Sequence, residues 1–232
     1  MKLSILSGGA AAGVVKGPQA QFEKKHSCEI QANFSAVGAM RELLLAGEPC
    51  DLVILTRPMI EGLIRSGQVV EGSLASLGIV RTGVAIKTGD PIPAIANRDQ
   101  LCKAFDNASG IYFPDPEKAT AGIHVYNVLK QLGLEKTKEK SFHIFPNGAT
   151  AMAAMAASSD TCLIGSTQVT EINITPGVQL IGMLPKEFEL ATDYCLGICT
   201  AGQNRQLAVD FANLLTGDGA AALRQDIGFE LT

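Results

Sequence analysis

Short apolar strands that run directly into small residues and a helix start recur along this chain of 232 residues. Residues 3–6 lead into Ser7-Gly8-Gly9, residues 30–34 into Ser35-Ala36-Val37-Gly38, and residues 111–113 into the stretch from Asp115 to Gly122. A fourth opening, Asn147-Gly148-Ala149-Thr150, follows residues 143–145. Each helix start leaves backbone N–H groups without intrahelical acceptors and carries a positive partial charge. Several such openings brought together hold an anion without any cationic side chain.

Composition supports that reading and narrows the partners. Hydrophobic residues make up 47% of the chain, enough for real cores, while charged residues are only 18% and the net charge is -4 with no basic block. Nucleic acid and anionic membranes are poor partners for such a surface. No apolar run reaches the roughly 18 residues of a membrane span, so membrane insertion is not expected, and no secretory signal is visible after Met1. The chain is cytoplasmic if Met1 is its natural start, and periplasmic if a signal peptide was removed ahead of it. Cysteines 28, 50, 102, 162, 195 and 199 form no CxxC pair and no cluster with histidine. They read as scattered buried thiols, and neither a metal site nor a cofactor is expected. Cys195 and Cys199 share a strand face but lie too far apart along it to bridge easily.

The alternation of strand and helix continues through most of the chain. Strands are expected at 3–6, 30–34, 50–55 and 80–87, with helices at 14–25, 36–46, 59–66 and 98–105. A second series follows, with strands at 111–113, 142–145 and 162–165 and helices at 121–132 and 149–157. Strands at 178–183 and 192–200 and helices at 204–215 and 219–225 close the chain. Such alternation with parallel strands is an α/β fold. Two blocks of similar layout point to two lobes with a cleft, and ligands of open α/β sheets bind outside the carboxyl ends of the strands.

Taken in order, Ser7-Gly8-Gly9, Phe34-Ser35-Ala36-Val37-Gly38-Ala39-Met40-Arg41, Cys50-Asp51-Leu52-Val53-Ile54, Asp115-Pro116-Glu117 with Thr120-Ala121-Gly122-Ile123, and the closing run from Asp210 to Glu230 resemble the type II periplasmic binding proteins. Within them the chain is most similar to the molybdate-binding subunit of ABC importers. The resemblance implies two lobes, residues 1–80 plus 195–232 and residues 81–194, each a mostly parallel sheet flanked by helices. Strands 80–87 and 192–200 would form the hinge. It also implies that the hydroxyls of Ser7 and Ser35 and the backbone amides of Ala121 and Gly148 hold an oxyanion. The family's last ligand is a tyrosine, and Gln168 stands in its place here. An amide carries both donors and acceptors, which opens the pocket to a carboxylate or another oxyanion as well as to molybdate.

Each of these residues also has a plainer reading. Ser7 and Ser35 could be N-caps that satisfy their own helices. Gly8 and Gly9 could serve a tight turn alone, although they also let a ligand approach the backbone closely. They do not form GxGxxG, and no acidic residue ends the second strand, which argues against a dinucleotide. Arg57 and Arg81 are candidate forks for a carboxylate, or else solvated, hinge-bracing charges. His124 and His143 read as structural, and Glu171 as a carboxylate at a helix start.

The expectation is a solute-binding protein that closes on a small anion, either an oxyanion such as molybdate or a small carboxylate. Its ligand groups would come from Ser7, Gly8, Gly9, Ser35, Ala36, Thr120, Ala121, Gly148, Gln168, Arg57 and Arg81. An ABC importer is the partner if the chain is exported. The alternative is an isomerase of a small unsaturated carboxylic acid such as aconitate, for which no base can be picked out by spacing.

Overall fold

The computed structural model describes residues 1–231. In chain order its elements are β1 (Lys2–Gly8), α1 (Ala12–His26), β2 (Glu29–Ser35), α2 (Val37–Leu45), β3 (Leu52–Thr56), α3 (Arg57–Arg65) and β4 (Ala75–Lys87). There follow α4 (Arg98–Asn107), β5 (Gly110–Pro114), α5 (Thr120–Gln131), β6 (Phe142–Phe145), α6 (Gly148–Ala157), β7 (Leu163–Gln168), α7 (Val169–Asn173) and β8 (Val178–Met183). The last three are β9 (Ala191–Ile198), α8 (Arg205–Thr216) and α9 (Ala221–Ile227). The chain divides into two compact units: Met1–Val80 joined by the segment from Thr192 onward, and Arg81–Ala191. Strand β4 carries the chain out of the first unit, and β9 carries it back.

Both units use one strand plan. In the first, β1 pairs in parallel with β2 and β3, and β9 adds antiparallel to β3, giving the order β2-β1-β3-β9. In the second, β5 pairs in parallel with β6 and β7, and β4 adds antiparallel to β7, giving β6-β5-β7-β4 with β8 also on β4. Each unit is therefore a mostly parallel sheet flanked by helices, and each connecting strand is the antiparallel member of the unit that it enters. Parallel pairing requires a crossover, and the crossovers are the helices of the sequence pattern.

Burial follows the strand positions. All five residues of β3 are buried between β1 and β9, whereas β2, at the sheet edge, buries only Ile30. Helix α1 covers the first sheet with Val14, Val15 and Phe22, and the Phe22 ring meets Phe211 of α8 edge-on at 4.8 Å. In the second unit, Phe105, Phe113, Val125, Leu129 and Ile164 form one core cluster. Tyr112, Met152, Met155 and Ile172 form another. Among the described residues, no helix is long and apolar enough to cross a membrane.

Two strands differ most from the sequence reading. Strand β4 begins at Ala75 instead of residue 80, because Gly78, which reads as a breaker, sits inside the strand at a φ of 126° against the Glu230 carbonyl. Strand β7 runs on to Gln168 instead of stopping at 165. Its polar end is buried because Ser166 donates to the Gly83 carbonyl at 2.9 Å and Thr167 donates to the Glu171 carboxylate at 2.6 Å. The apolar pattern ends before the strand does.

Asp51 ties together the two separate pieces of sequence that build the first unit. Its buried carboxylate accepts from the Ser4 amide in β1 and from the Asn204 amide just ahead of α8, both at 2.8 Å. Asp51→Ala strands both donors, and urea unfolding should show a loss of about 2–4 kcal/mol.

Candidate functional site

In the first unit the predicted residues gather at the carboxyl ends of parallel strands. Register pairs Gly8 with Ser35 and Ser7 with both Phe34 and Ile54, so Ser7, Gly8, Gly9, Ser35 and Ala36 lie side by side. Neither serine is an N-cap. The cap positions are Gly8 for the 3-10 turn that leads into α1 and Ala36 for α2, and neither makes a side-chain cap hydrogen bond. The plainer reading of these serines as caps is therefore corrected: each lies one residue before its helix opening. Ser7 is wholly buried and its Oγ donates to the Gly8 carbonyl at 2.9 Å. A Cβ on Gly8 would lie 2.7 Å from Val37 Cγ1, so the backbone here is packed too closely for a side chain.

Arg57 opens α3 at the same edge, but its guanidinium is engaged. Its Nε lies 2.6 Å from Asp193 Oδ2, and Asp193 also accepts from Ser76 at 2.5 Å. The hydrogen bond to Asp193 raises the Arg57 pKa still further, so its charge is fixed and already balanced. Burial pushes the nearby Cys195 thiol up to about 12, which leaves it an inert neutral group.

The second unit repeats the arrangement. Pro114 pairs with Phe145 and Tyr112 with Gly165, which aligns the carboxyl ends of β5, β6 and β7. Thr120 and Ala121 start α5, whose cap residue Ala119 makes no side-chain cap hydrogen bond. Gly122 must be glycine because a Cβ would collide with the carbonyls of Pro114 and Asp115.

At α6 the expectation meets a different arrangement. Asn147 and Thr150 form a reciprocal capping box. The Gly148 amide, which the resemblance assigns to a ligand, donates to Glu171 Oε1 at 3.1 Å, while Thr167 holds Oε2. The protein's own carboxylate thus occupies the opening. Glu171 belongs to α7, yet it serves the start of α6. Burial is the larger influence on it and pushes its carboxyl above the ordinary value, although the Thr167 hydroxyl and backbone amides pull the other way.

Gln168, the last residue of β7, is only 2% exposed, and neither Nε2 nor Oε1 has a hydrogen-bond partner among the described residues. Thr82 of β4 is its direct antiparallel partner, which puts the two side chains on one sheet face. The Thr82 hydroxyl and that of Thr170 in α7 are buried and unpartnered as well. Arg81, next to Thr82, is ion-paired with Glu189. His124 meets the Phe188 carbonyl at 2.7 Å and His143 stacks on Tyr112 at 4.4 Å, so both act within the fold.

Sequence reasoning missed Thr82 and Thr170. The available signal was a hydroxyl just ahead of the apolar run 83–86 and another two residues after Gln168. It also missed that β3 and β7 end in openings of their own, with Thr56 and Gln168 in the same place in each strand plan.

Two outcomes test the Glu171 arrangement. A Cβ at residue 148 would overlap Thr167 Oγ1 and Glu171 Oε2, so Gly148→Ala should lose about 3 kcal/mol in urea unfolding. The raised carboxyl of Glu171 favours the folded state below its ordinary value of 4.5, and that contribution disappears as the pH climbs through the folded-state value. The stability of the wild type relative to Glu171→Gln should therefore fall as the pH is raised above 4.5. Parallel pH profiles for the two proteins would contradict this.

The family of bacterial extracellular solute-binding proteins matches this chain over residues 3–230. Among solved structures, the periplasmic molybdate-binding protein of Azotobacter vinelandii is similar at a TM-score of 0.80 and 16% identity, over 99% of both chains. The sulfate-binding protein SubI of Mycobacterium tuberculosis H37Rv is similar at 0.73 and 14%, over 100% of this chain and 87% of that one. A curated relative, the aconitate isomerase of a Pseudomonas species, is 24% identical over 98% of this chain and 87% of its own length. With its paired α/β units and two connecting strands, the chain belongs to the bacterial extracellular solute-binding protein family and has the type II periplasmic-binding-protein fold.

Proposed function

We propose that this protein binds a small organic carboxylate, with hydroxyls and backbone amides as the donors. The observation that carries the reading is the buried, wholly unpartnered amide of Gln168. An amide sealed from water without partners costs on the order of 1–3 kcal/mol, which a guest that completes its hydrogen bonds recovers. A fully ionised tetrahedral oxyanion offers acceptors only, so it suits Nε2 and faces Oε1 with negative charge. An organic acid that carries a hydroxyl or a protonated carboxyl offers both. The hydroxyls of Thr82 and Thr170 widen the same donor and acceptor set.

In the first unit the candidate donors are the Ser35 hydroxyl, the Ser7 hydroxyl once it turns from the Gly8 carbonyl, and the openings at Gly8 to Gly9 and at Ala36. In the second unit they are the opening at Thr120 to Ala121 and Gln168. Gly148 drops out of the ligand set because Glu171 already holds its amide. Arg57 and Arg81 are ion-paired, which shifts the work of binding onto neutral donors. The structural likeness to molybdate- and sulfate-binding proteins supports anion binding in general. An ABC importer is the partner this reading implies for an exported chain.

A second reading keeps the site and adds chemistry. The aconitate isomerase relative favours isomerisation of an unsaturated carboxylic acid, which needs a group to take and return a proton. Glu171 does not meet that need as it stands, because the Gly148 amide and the Thr167 hydroxyl hold its two oxygens. Proton NMR of cis-aconitate incubated with the protein decides the point: appearance of the trans isomer supports catalysis, and an unchanged spectrum supports binding alone.

A thermal-shift panel of molybdate, tungstate, sulfate, phosphate and small di- and tricarboxylates should give its largest rise with a carboxylate. Calorimetry with that carboxylate should show affinity at least about tenfold weaker for Ser7→Ala combined with Ser35→Ala, a change of about 1.4 kcal/mol. Gln168→Leu should weaken affinity similarly while raising the melting temperature of the free protein, because it removes an unsatisfied buried amide. A largest rise with molybdate, or a Gln168→Leu protein that is both less stable and equally tight, would contradict the reading.

A further inference from the structure

Cys50 lies just ahead of β3 and Cys199 just beyond β9, at opposite ends of the sequence of one unit. Their Sγ atoms are 3.4 Å apart, and both residues are buried. The backbone around them is pinned: the Cys199 amide donates to the Asp51 carbonyl at 2.9 Å, and Leu52 is in register with Ile198. A disulfide needs sulfur atoms about 2.05 Å apart, so a closure of about 1.4 Å, within reach of side-chain rotation, separates the two states. The other thiols are placed differently. Cys28 and Cys102 are half-buried and Cys162 is exposed, which corrects the expectation of uniformly buried cysteines.

We propose that Cys50 and Cys199 are a latent disulfide pair that a disulfide oxidant closes. The pair lines a cavity of about 410 Å³ in the first unit, bordered also by Lys2, Ser4, Asp51 and Asn204, and this gives a small reagent its approach. Cys50, the more exposed of the two, loses its thiol proton and attacks one sulfur of the reagent disulfide, expelling one reagent thiolate. Cys199 then loses its proton and attacks the Cys50 sulfur of the mixed disulfide, forming the Sγ–Sγ bond and expelling the second thiolate. Two protein thiols are oxidised, the reagent is reduced to two thiols, and the two protons end on those thiols. The contact with Cys50 and burial both push the Cys199 thiol well above its ordinary pKa, so closure is slow, as suits a structural crosslink more than a rapid sensor.

The crosslink would do specific work in this fold. The first unit is assembled from two segments separated by the whole of the second, and the two cysteines are 149 residues apart. A bridge between them closes that long loop in the unfolded chain and lowers its entropy, which is where disulfides stabilise most in the chain-entropy account.

The test uses the full chain carrying Cys28→Ser, Cys102→Ser and Cys162→Ser, incubated with oxidised glutathione and mapped by mass spectrometry without reduction. The expected product is lighter by two hydrogens, contains one peptide pair joined through Cys50 and Cys199, and melts roughly 5–10 °C higher than its reduced form. Adding Cys199→Ser should abolish both the link and the shift. Alkylation of both Cys50 and Cys199 as free thiols after oxidation, a bridge through Cys195, or a linked product with unchanged melting temperature would overturn the proposal. The peptide map decides even if the added substitution fails to fold.

Discussion

Amide hydrogens at helix starts must find acceptors, and the site of this protein is organised by which of them do so within the chain. Parallel strands start every crossover helix of a unit at the same end of the sheet, the carboxyl end, so the need is concentrated there. The α6 opening is met from inside, by the Asn147 and Thr150 capping box and the Glu171 carboxylate. The openings at Gly8, Ala36 and Ala119 have no side-chain cap. One fold thus shows a resident carboxylate at one opening and no side-chain cap at the others, which the proposed function assigns to a visiting anion.

The charge arrangement agrees with that division. Both arginines near the expected ligand groups are committed to carboxylates of their own unit. In the proposed reading, what faces the ligand is then a set of neutral dipoles, which discriminate by geometry and by donor or acceptor character more than by net charge. In that reading Gln168 is the clearest discriminator, since a buried amide rejects a partner that satisfies only half of it. Its cross-strand pairing with Thr82 extends the demand to a second element.

The fold was legible because its periodicity is strong. Apolar strands such as 52–56 and 110–114 are buried along their whole length, and the small residues after β1, β2 and β6 mark real turns into helices. The ends of β4 and β7 were not legible, since Gly78, Ser166 and Thr167 fall outside the apolar runs, and their place in the strands depends on tertiary partners that satisfy or require them. Of the site, the strand-to-helix pattern put Ser7, Ser35 and Thr120 near helix starts, while Gln168 was singled out only by the family resemblance. That Glu171 in α7 would reach across to the Gly148 amide of α6 depends on packing between neighbouring elements, which local pattern does not encode. The pairing of Thr82 with Gln168 depends on register between strands 86 residues apart in sequence, here Thr82 of β4 and Gln168 of β7. The Cys50 and Cys199 contact lies equally beyond local pattern, because it joins two segments that meet only when the unit is assembled.

The most direct measurement is a proton–nitrogen NMR titration with citrate, a carboxylate that also carries a hydroxyl donor, following individual amides. The account predicts large shifts for the Gly9, Val37 and Ala121 amides and for the Gln168 side-chain NH₂, with Gly148 unmoved because Glu171 retains it. A titration that moves Gly148 and leaves the Gln168 side chain unchanged would contradict it.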